Sequence, residues 1–250
     1  FPNGLGNDNG LLGKYIAFHN YRATISAEYE GFPDYTLEGA KPTTHYVQRF
    51  RNLYKKETDF LRGYVAGFEA FPLRETLREG IGNDLKSQLL QTKETGVWGV
   101  GSHMMGETLP KESNQVSLDS EKTDEWGIPL LRIDVDYDGN DEKMIQDFYE
   151  QFSEMYSKAG FTNIVTNDNG RRPGNDIHEM GGVRMGKDPK TSLLNAWNQM
   201  HECKNVFVTD GACMTSTSTQ NPSLTFMAIT ARAANYAIQQ LKKDLKKLPT

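Results

Sequence analysis

The amino-acid sequence predicts an α+β fold, built on an antiparallel sheet with flanking helices. Strand-like segments dominate the first 165 residues. One of them, 130–137, alternates apolar with charged side chains, which is typical of a strand with one buried and one solvated face. Apolar residues at helical spacing predict helices at 144–156 and 221–241. The composition changes near position 165, so we divide the chain into domains 1–165 and 166–250.

The first domain contains further strand patterns and one short helix pattern. Glycines at 96–109 favour a bulge or the close approach of another backbone. In the long helix, Asn140, Asp141 and Glu142 suit the N-terminus, and Gly160 suits the C-terminal cap. In chain order the other strand patterns are 21–29, 45–53, 62–71, 96–109 and 114–119, and the short helix pattern is 82–91.

The second domain begins with a polar loop at 166–176 and continues to a short apolar strand pattern at 205–212. The helix after it carries Pro222 in its first turn, where a missing N–H costs nothing. Its alanines, interspersed with larger apolar residues, predict a helix buried against a sheet. Asn221 could cap this helix, since asparagine is a favoured N-cap residue.

Charge and composition exclude several classes of protein. The formal net charge is −5, whereas a nucleic-acid-binding surface needs a basic excess, so we expect no nucleic-acid partner. No apolar run approaches the roughly 20 residues of a membrane-spanning helix. Cys203 and Cys213 are too few for a disulfide framework or a zinc ligand set, and we expect them to be buried. These features leave the cellular compartment undetermined.

The segment 178–186, HEMGGVRMG, places a histidine beside a backbone with few side chains. A zinc-protease helix would need a second histidine at position 182, where Gly182 stands, so no metal site is predicted. A Walker loop needs Gly-Lys-Ser/Thr and a dinucleotide loop needs G-x-G-x-x-G, and the sequence contains neither. Two interpretations stay open on these residues alone: a structural histidine next to a tight turn, and a catalytic histidine placed against a flat cofactor.

Three segments, in order, resemble the C-terminal region of the glucose–methanol–choline (GMC) oxidoreductases, flavoenzymes that oxidise alcohols and sugars. They are IHEMGGVRMG at 177–186, NVFVTDGA at 205–212 and TQNPSLTFMAITARAA at 219–234. The likeness is greatest to the bacterial sugar-dehydrogenase and pyranose-oxidase-like branch, whose active site holds a histidine–asparagine pair. A weaker likeness at 10–20 concerns the segment that enters the substrate domain.

The resemblance implies a substrate-binding domain at 1–165. It implies that 166–250 supplies the C-terminal strand and helix of a split FAD-binding domain, whose N-terminal Rossmann half is absent from this sequence. We therefore expect FAD in the full-length protein and not in this chain alone. The expected reaction oxidises a CH–OH group of a sugar, sugar acid or related alcohol by hydride transfer to flavin N5. The expected partners are that substrate, the N-terminal half and, as an open possibility, an electron-accepting subunit.

By this resemblance His178 is the base that takes the hydroxyl proton, a role that suits a side chain with a pKa near neutrality. Asn221 is its partner, because an amide can donate to the substrate oxygen. The other expected cofactor contacts are Gly181 and Gly182, which have no Cβ to obstruct a flat ring, Asp210 and Gly211 near the ribityl and phosphate groups, and Pro222 at a helix start directed at the flavin.

Other interpretations stay open. The chain could be a non-catalytic carbohydrate-binding scaffold, which would have no need of both His178 and Asn221. It could also be a complete enzyme without a flavin. Of the other histidines, His103 is expected to pack on a strand, and His19 has equal claims to an active-site and a structural position.

Overall fold

The computed structural model describes residues 4–31, 45–72, 80–90, 97–174 and 177–245. These residues form strands, three α-helices and one short 3₁₀ turn. In chain order the elements are β1 (His19–Asn20), β2 (Ala23–Tyr29), β3 (His45–Val47), β4 (Tyr64–Pro72), α1 (Asn83–Leu90), β5 (Trp98–Glu107), β6 (Gln115–Thr123), β7 (Pro129–Asp134), α2 (Gly139–Lys158), β8 (Thr162–Asp168), the 3₁₀ turn (Gly211–Cys213) and α3 (Ser223–Leu245).

A six-stranded antiparallel sheet forms the centre of the fold. Its strands follow the order β3-β4-β5-β2-β8, and β1 pairs with the C-terminal end of β5. The predicted α+β class with an antiparallel sheet is therefore confirmed. The strand predicted at 45–53 is reduced to the three residues of β3.

The main core lies between this sheet and α2. The helix begins with a capping box formed by Asp138 and Asp141, and Gly160 follows its last turn with a φ of 84°. This left-handed backbone favours glycine and agrees with the predicted cap. The side chains buried in this core include Ile25, Met104, Met144, Ile145, Phe148 and Phe152.

β6 and β7 form a separate two-stranded hairpin. The alternation at 130–137 predicted that one face of this strand is buried, and that prediction is wrong for this chain. Leu131 and Ile133 are 68% and 62% exposed. The hairpin lies outside the six-stranded sheet, so its apolar side chains have no second layer to pack against among the described residues.

The C-terminal elements also differ from the prediction. Residues 205–208 form no regular strand; they make bridge-like hydrogen bonds to 198–200 on one side. A buried parallel strand needs neighbours on both edges, and the described residues supply one. α3 was predicted to be buried against a sheet, but Leu224 and Met227 are 78% and 69% exposed. Only one face of α3 is covered, by the apolar cluster of residues 193–214.

β8 carries the sheet past position 165. It pairs with β2 as far as Asp168, so the polar loop predicted at 166–176 begins three residues later. The division into domains 1–165 and 166–250 stays a prediction. Within the described ranges, none of the helices combines the length and the apolar character needed to cross a membrane.

Candidate active site

Backbone hydrogen bonds assemble the candidate site from three segments that are distant in sequence. Segment 13–17 pairs with segment 180–182 through N–H···O bonds of 2.8 to 3.0 Å. On the other side, residues 181–185 bond to the turn at 211–213 over 3.0 to 3.1 Å. The first pairing ends two residues before His19 and begins two residues after His178. It therefore brings these two histidines to the same place.

The glycines of this loop permit close packing of the chain on itself. Gly181 and Gly182 have φ values of 94° and 91°, which few side chains tolerate. A Cβ on Gly181 would lie 2.1 Å from the carbonyl oxygen of Tyr15, and one on Gly211 would lie 2.5 Å from that of Glu179. The chain's own backbone therefore gives a packing reason for glycine at 181 and 211. Their contact with a cofactor stays a prediction.

His178 lies half-buried on a strained backbone. Its φ is 67°, a left-handed conformation that is uncommon outside glycine and often marks functional positions. Its Nδ1 atom lies 3.3 Å from Nδ1 of His19, and its Nε2 makes no hydrogen bond within the described residues. Burial lowers the pKa of His178 below its ordinary 6.5, although Glu179 opposes the change. The ring is therefore neutral at pH 7.

His19 is fully buried at the start of β1. Burial, and next the nearby His178, lower its pKa to about 4, while the carbonyl groups of Thr217 and Ser218 act in the opposite direction. Its Nε2 makes no hydrogen bond among the described residues. His19 thus belongs to the site, a position that the sequence left undecided. The only signal that could have indicated it was the weak family likeness at 10–20.

Asn221 lies exposed just before α3. The helix begins at Ser223, and the buried Pro222 separates the two. Neither amide atom of Asn221 makes a hydrogen bond within the described ranges. The capping alternative is therefore not supported, and the amide is free to bind another molecule. No hydrogen bond joins Asn221 to His178 in that part of the chain.

Asp210 has a local structural role. Its carboxylate accepts a hydrogen bond from the backbone N–H of Ala212 over 3.0 Å and so caps the 3₁₀ turn. The residue is exposed, so it can also face a ligand. Across the described parts of the chain, no group of three or more histidine, cysteine or acidic side chains is placed to hold a metal ion.

A cavity of about 310 Å³ lies on the six-stranded sheet, and Tyr21 connects its lining residue His103 to His19 through two ring contacts. The rings of His19 and Tyr21 are 5.9 Å apart, and Tyr21 stacks on His103 at 5.8 Å. His103 lines the cavity, as expected for a residue packed on a strand. No sequence pattern indicated this cavity, because strands distant in sequence form it. The polar side chains in its lining are Thr24, Ser26, Glu69, Ser102, His103 and Asn167.

Comparison with known proteins places these residues in a family. Residues 110–230 match the family model described as GMC oxidoreductase. The 2-methyl-1,2-propanediol dehydrogenase of Mycolicibacterium austroafricanum is 32% identical over 254 residues, covering 94% of this chain and 43% of that protein. The fructose dehydrogenase large subunit of Gluconobacter japonicus is 25% identical over 251 residues, covering 97% and 44%. The gluconate 2-dehydrogenase flavoprotein of Pantoea cypripedii is 29% identical over 140 residues, covering 53% and 22%.

The chain spans less than half the length of these relatives. The matched range includes the segments at 177–186 and 205–212 and the first twelve residues of the segment at 219–234, and two of the relatives align along nearly the whole chain. The chain therefore belongs to the GMC oxidoreductase family, and its residues 110–230 carry the C-terminal domain of that family.

Proposed function

We propose that the protein containing this chain is an FAD-dependent oxidoreductase that oxidises a CH–OH group of a sugar, sugar acid or related alcohol. One observation carries the proposal. His178 is held through Nδ1, while its Nε2 has no partner within the described residues; burial lowers its pKa, which favours the neutral ring. An imidazole in that state can accept the proton of a bound hydroxyl group. The family supports the reaction class.

The residues of this chain fit the reactive end of FAD. Nε2 of His178 and the side-chain amide of Asn221 are two polar groups that make no hydrogen bond within the described residues and can serve at this end of the cofactor. The first-turn N–H groups of α3 have no partner within the helix and carry the positive end of its dipole, which suits an electron-rich ring. When bound, FAD supplies the acceptor for the hydride. Asp210, Gly181, Gly182, Gly211 and Pro222 remain the proposed contacts of this chain with the cofactor.

The pyrophosphate of FAD needs a different part of the protein. The sequence has no G-x-G-x-x-G loop, which is the usual cradle for that group. We assign this task to an N-terminal FAD-binding half, the proposed partner of residues 166–250. The exposed apolar side chains of α3, including Leu224 and Met227, are consistent with a helix that completes such a domain.

The chain's own residues handle the proton and the substrate oxygen. His178 takes the hydroxyl proton at Nε2 while the C–H bond breaks and the C–O bond becomes a carbonyl. The hydrogen of that C–H bond leaves with its electron pair, so the two-electron oxidation balances. Asn221 donates a hydrogen bond from its amide to the substrate oxygen, which stabilises the negative charge that develops there.

The substrate class is proposed from the relatives, and a polar cavity on the six-stranded sheet is in keeping with it. A cavity lined by hydroxyl, amide, carboxylate and imidazole groups suits a molecule with several hydroxyl groups, because each buried hydroxyl needs a hydrogen-bond partner. The relatives include a protein named for a propanediol and one named for fructose. The second is named as a large subunit, which supports an electron-accepting subunit as a further proposed partner.

The alternative of a non-catalytic scaffold is disfavoured by the backbone at His178. A left-handed residue costs about 1–2 kcal/mol relative to an ordinary conformation. A scaffold that only binds carbohydrate has no evident use for a histidine held in this way with one nitrogen free. A proton-accepting base does have such a use, because its ring must be aimed at the substrate.

The proposal is tested in the flavin-loaded protein by His178→Ala. Loss of the base is expected to slow flavin reduction by substrate roughly 100- to 10,000-fold, with little change in flavin content. His45→Ala is the control, because His45 is exposed on β3. In the wild type, the rate should rise with pH as His178 loses its proton, with a midpoint below the ordinary histidine pKa of 6.5, because burial lowers the pKa of His178. Near-normal reduction in His178→Ala would remove this residue from the mechanism.

A further inference from the structure

The two histidines of the site share a single hydrogen bond. Their Nδ1 atoms are 3.3 Å apart, and the rings meet edge to face at 74° with centroids 4.8 Å apart. Two ring nitrogens at this distance attract each other only when one carries a hydrogen and the other a lone pair. The bond therefore fixes which nitrogen of each ring is protonated.

The two possible arrangements have opposite chemical consequences. If His178 donates from Nδ1, its Nε2 keeps a lone pair and can accept a proton. If His19 donates instead, the hydrogen of neutral His178 stands on Nε2, and that atom cannot act as a base. The hydrogen bond made by one ring nitrogen thus decides the function of the other.

The surroundings of His19 select between them. Burial keeps His19 neutral near pH 7 by lowering its pKa to about 4, so the ring carries one hydrogen. Its Nε2 is shielded from water, and the carbonyl groups of Thr217 and Ser218 are near enough to raise the pKa of the ring. Because Nδ1 of His19 is engaged by His178, Nε2 is the ring nitrogen left to interact with these carbonyl groups. A lone pair beside carbonyl oxygens is repelled, whereas an N–H is attracted even where no full hydrogen bond forms.

We propose that His19 is a positioning residue that accepts the Nδ1–H of His178 and so keeps the lone pair of His178 on Nε2. The inference rests on the proposed function, in which His178 is the base. The pairing of 13–17 with 180–182 brings His19 next to His178. In this proposal the segment before β1 therefore also helps to orient the base. His19 also contacts the segment 217–218, three residues before Asn221.

A neutral acceptor orients the base without making it strongly basic. A carboxylate in the place of His19 would stabilise protonated His178 by charge and raise its pKa. Neutral His19 offers only a hydrogen bond, which agrees with the lowered pKa of His178. The other ionisable groups around the pair are Glu179 beside His178, Tyr21 against His19, and, across β1 and β5, Glu107 with its partners Arg49 and Arg62.

The first test measures the protonated nitrogen directly. The sequence contains five histidines, so the protein labelled with ¹⁵N only at histidine gives a small number of ring signals. We expect Nδ1 of His178 and Nε2 of His19 to show the shifts of N–H nitrogens at pH 7. His178→Ala and His19→Gln assign the signals by removing them. A spectrum with the hydrogen of His178 on Nε2 would overturn the proposal without any measurement of activity.

The second test uses variants of the flavin-loaded protein. His19→Phe keeps an aromatic ring and loses both nitrogens; we expect flavin reduction to slow by about 10-fold or more, with unchanged flavin content and a mixture of His178 tautomers. His19→Gln can accept through Oε1 and donate through Nε2, so it should restore the rate and the tautomer. The control is His201→Phe, which removes a half-buried histidine bonded to Ser192.

The outcomes separate this inference from the proposed function. If His178→Ala is slow while His19→Phe keeps the normal rate and tautomer, the positioning role is wrong and the base remains. If His178→Ala is fast, the proposed function itself fails. If His19→Phe does not fold, the tautomer in the wild-type spectrum still decides.

Discussion

Gly181→Ala is expected to destabilise the protein in the absence of FAD. The φ of 94° costs an alanine about 1–2 kcal/mol. In addition, the new Cβ would lie 2.1 Å from the Tyr15 carbonyl oxygen, so the pairing of 13–17 with 180–182 must open. Losing two or three of its backbone hydrogen bonds costs about 1 kcal/mol each. The total is roughly 3–5 kcal/mol.

Gly170→Ala is the matched control. Gly170 also has a positive φ, of 62°, but nothing lies within 4 Å of its added Cβ. It should lose only the backbone cost of about 1–2 kcal/mol. Urea unfolding without added FAD measures the difference between the variants, which we expect to be about 2–3 kcal/mol. If Gly181→Ala and Gly170→Ala are equally stable and Gly181→Ala only binds FAD more weakly, the packing argument is wrong. That result would favour the interpretation that Gly181 clears room for the cofactor.

Two further predictions concern the cofactor and the substrate. The 250-residue chain alone should be colourless after purification with FAD, because it lacks a pyrophosphate loop; a flavin spectrum at full occupancy would contradict this. In the flavin-loaded protein, Asn221→Asp should keep its thermal stability, since the Asn221 side chain makes no hydrogen bond within the described residues. Its rate of flavin reduction should fall by about tenfold or more, because the new carboxylate places a negative charge beside the developing alkoxide. A tenfold loss corresponds to roughly 1.4 kcal/mol of activation free energy. Unchanged stopped-flow kinetics would exclude Asn221 from substrate activation.

Local patterns predicted α2 well and the C-terminal elements less well. The periodicity of α2 and its ends depend on neighbouring residues, including Asp141 and Gly160, so both were visible in the sequence. The burial of 130–137 and of α3 depends instead on a second layer from elsewhere. Alternation and small residues indicate that a surface is suited to burial, but they do not say which surface covers it.

The candidate site was predictable in part for the same reason. His178 and Asn221 stand in recognisable segments, as do the glycines after His178. His19 and His178 are 159 positions apart. They meet through backbone hydrogen bonds, which any residue but proline can make, so the pairing leaves almost no mark on the sequence.

The geometry of His178 rests on interactions within this chain. The backbone pairing of 13–17 with 180–182 fixes the loop, the left-handed φ of 67° aims the residue, and the buried ring of His19 holds one of its nitrogens. Each of these interactions forms on folding. A base fixed in this way loses little further freedom when substrate arrives, so more of the binding interaction lowers the barrier. A substitution that weakens the backbone pairing, changes the backbone conformation at His178 or removes the ring of His19 should therefore slow flavin reduction more than it weakens substrate binding.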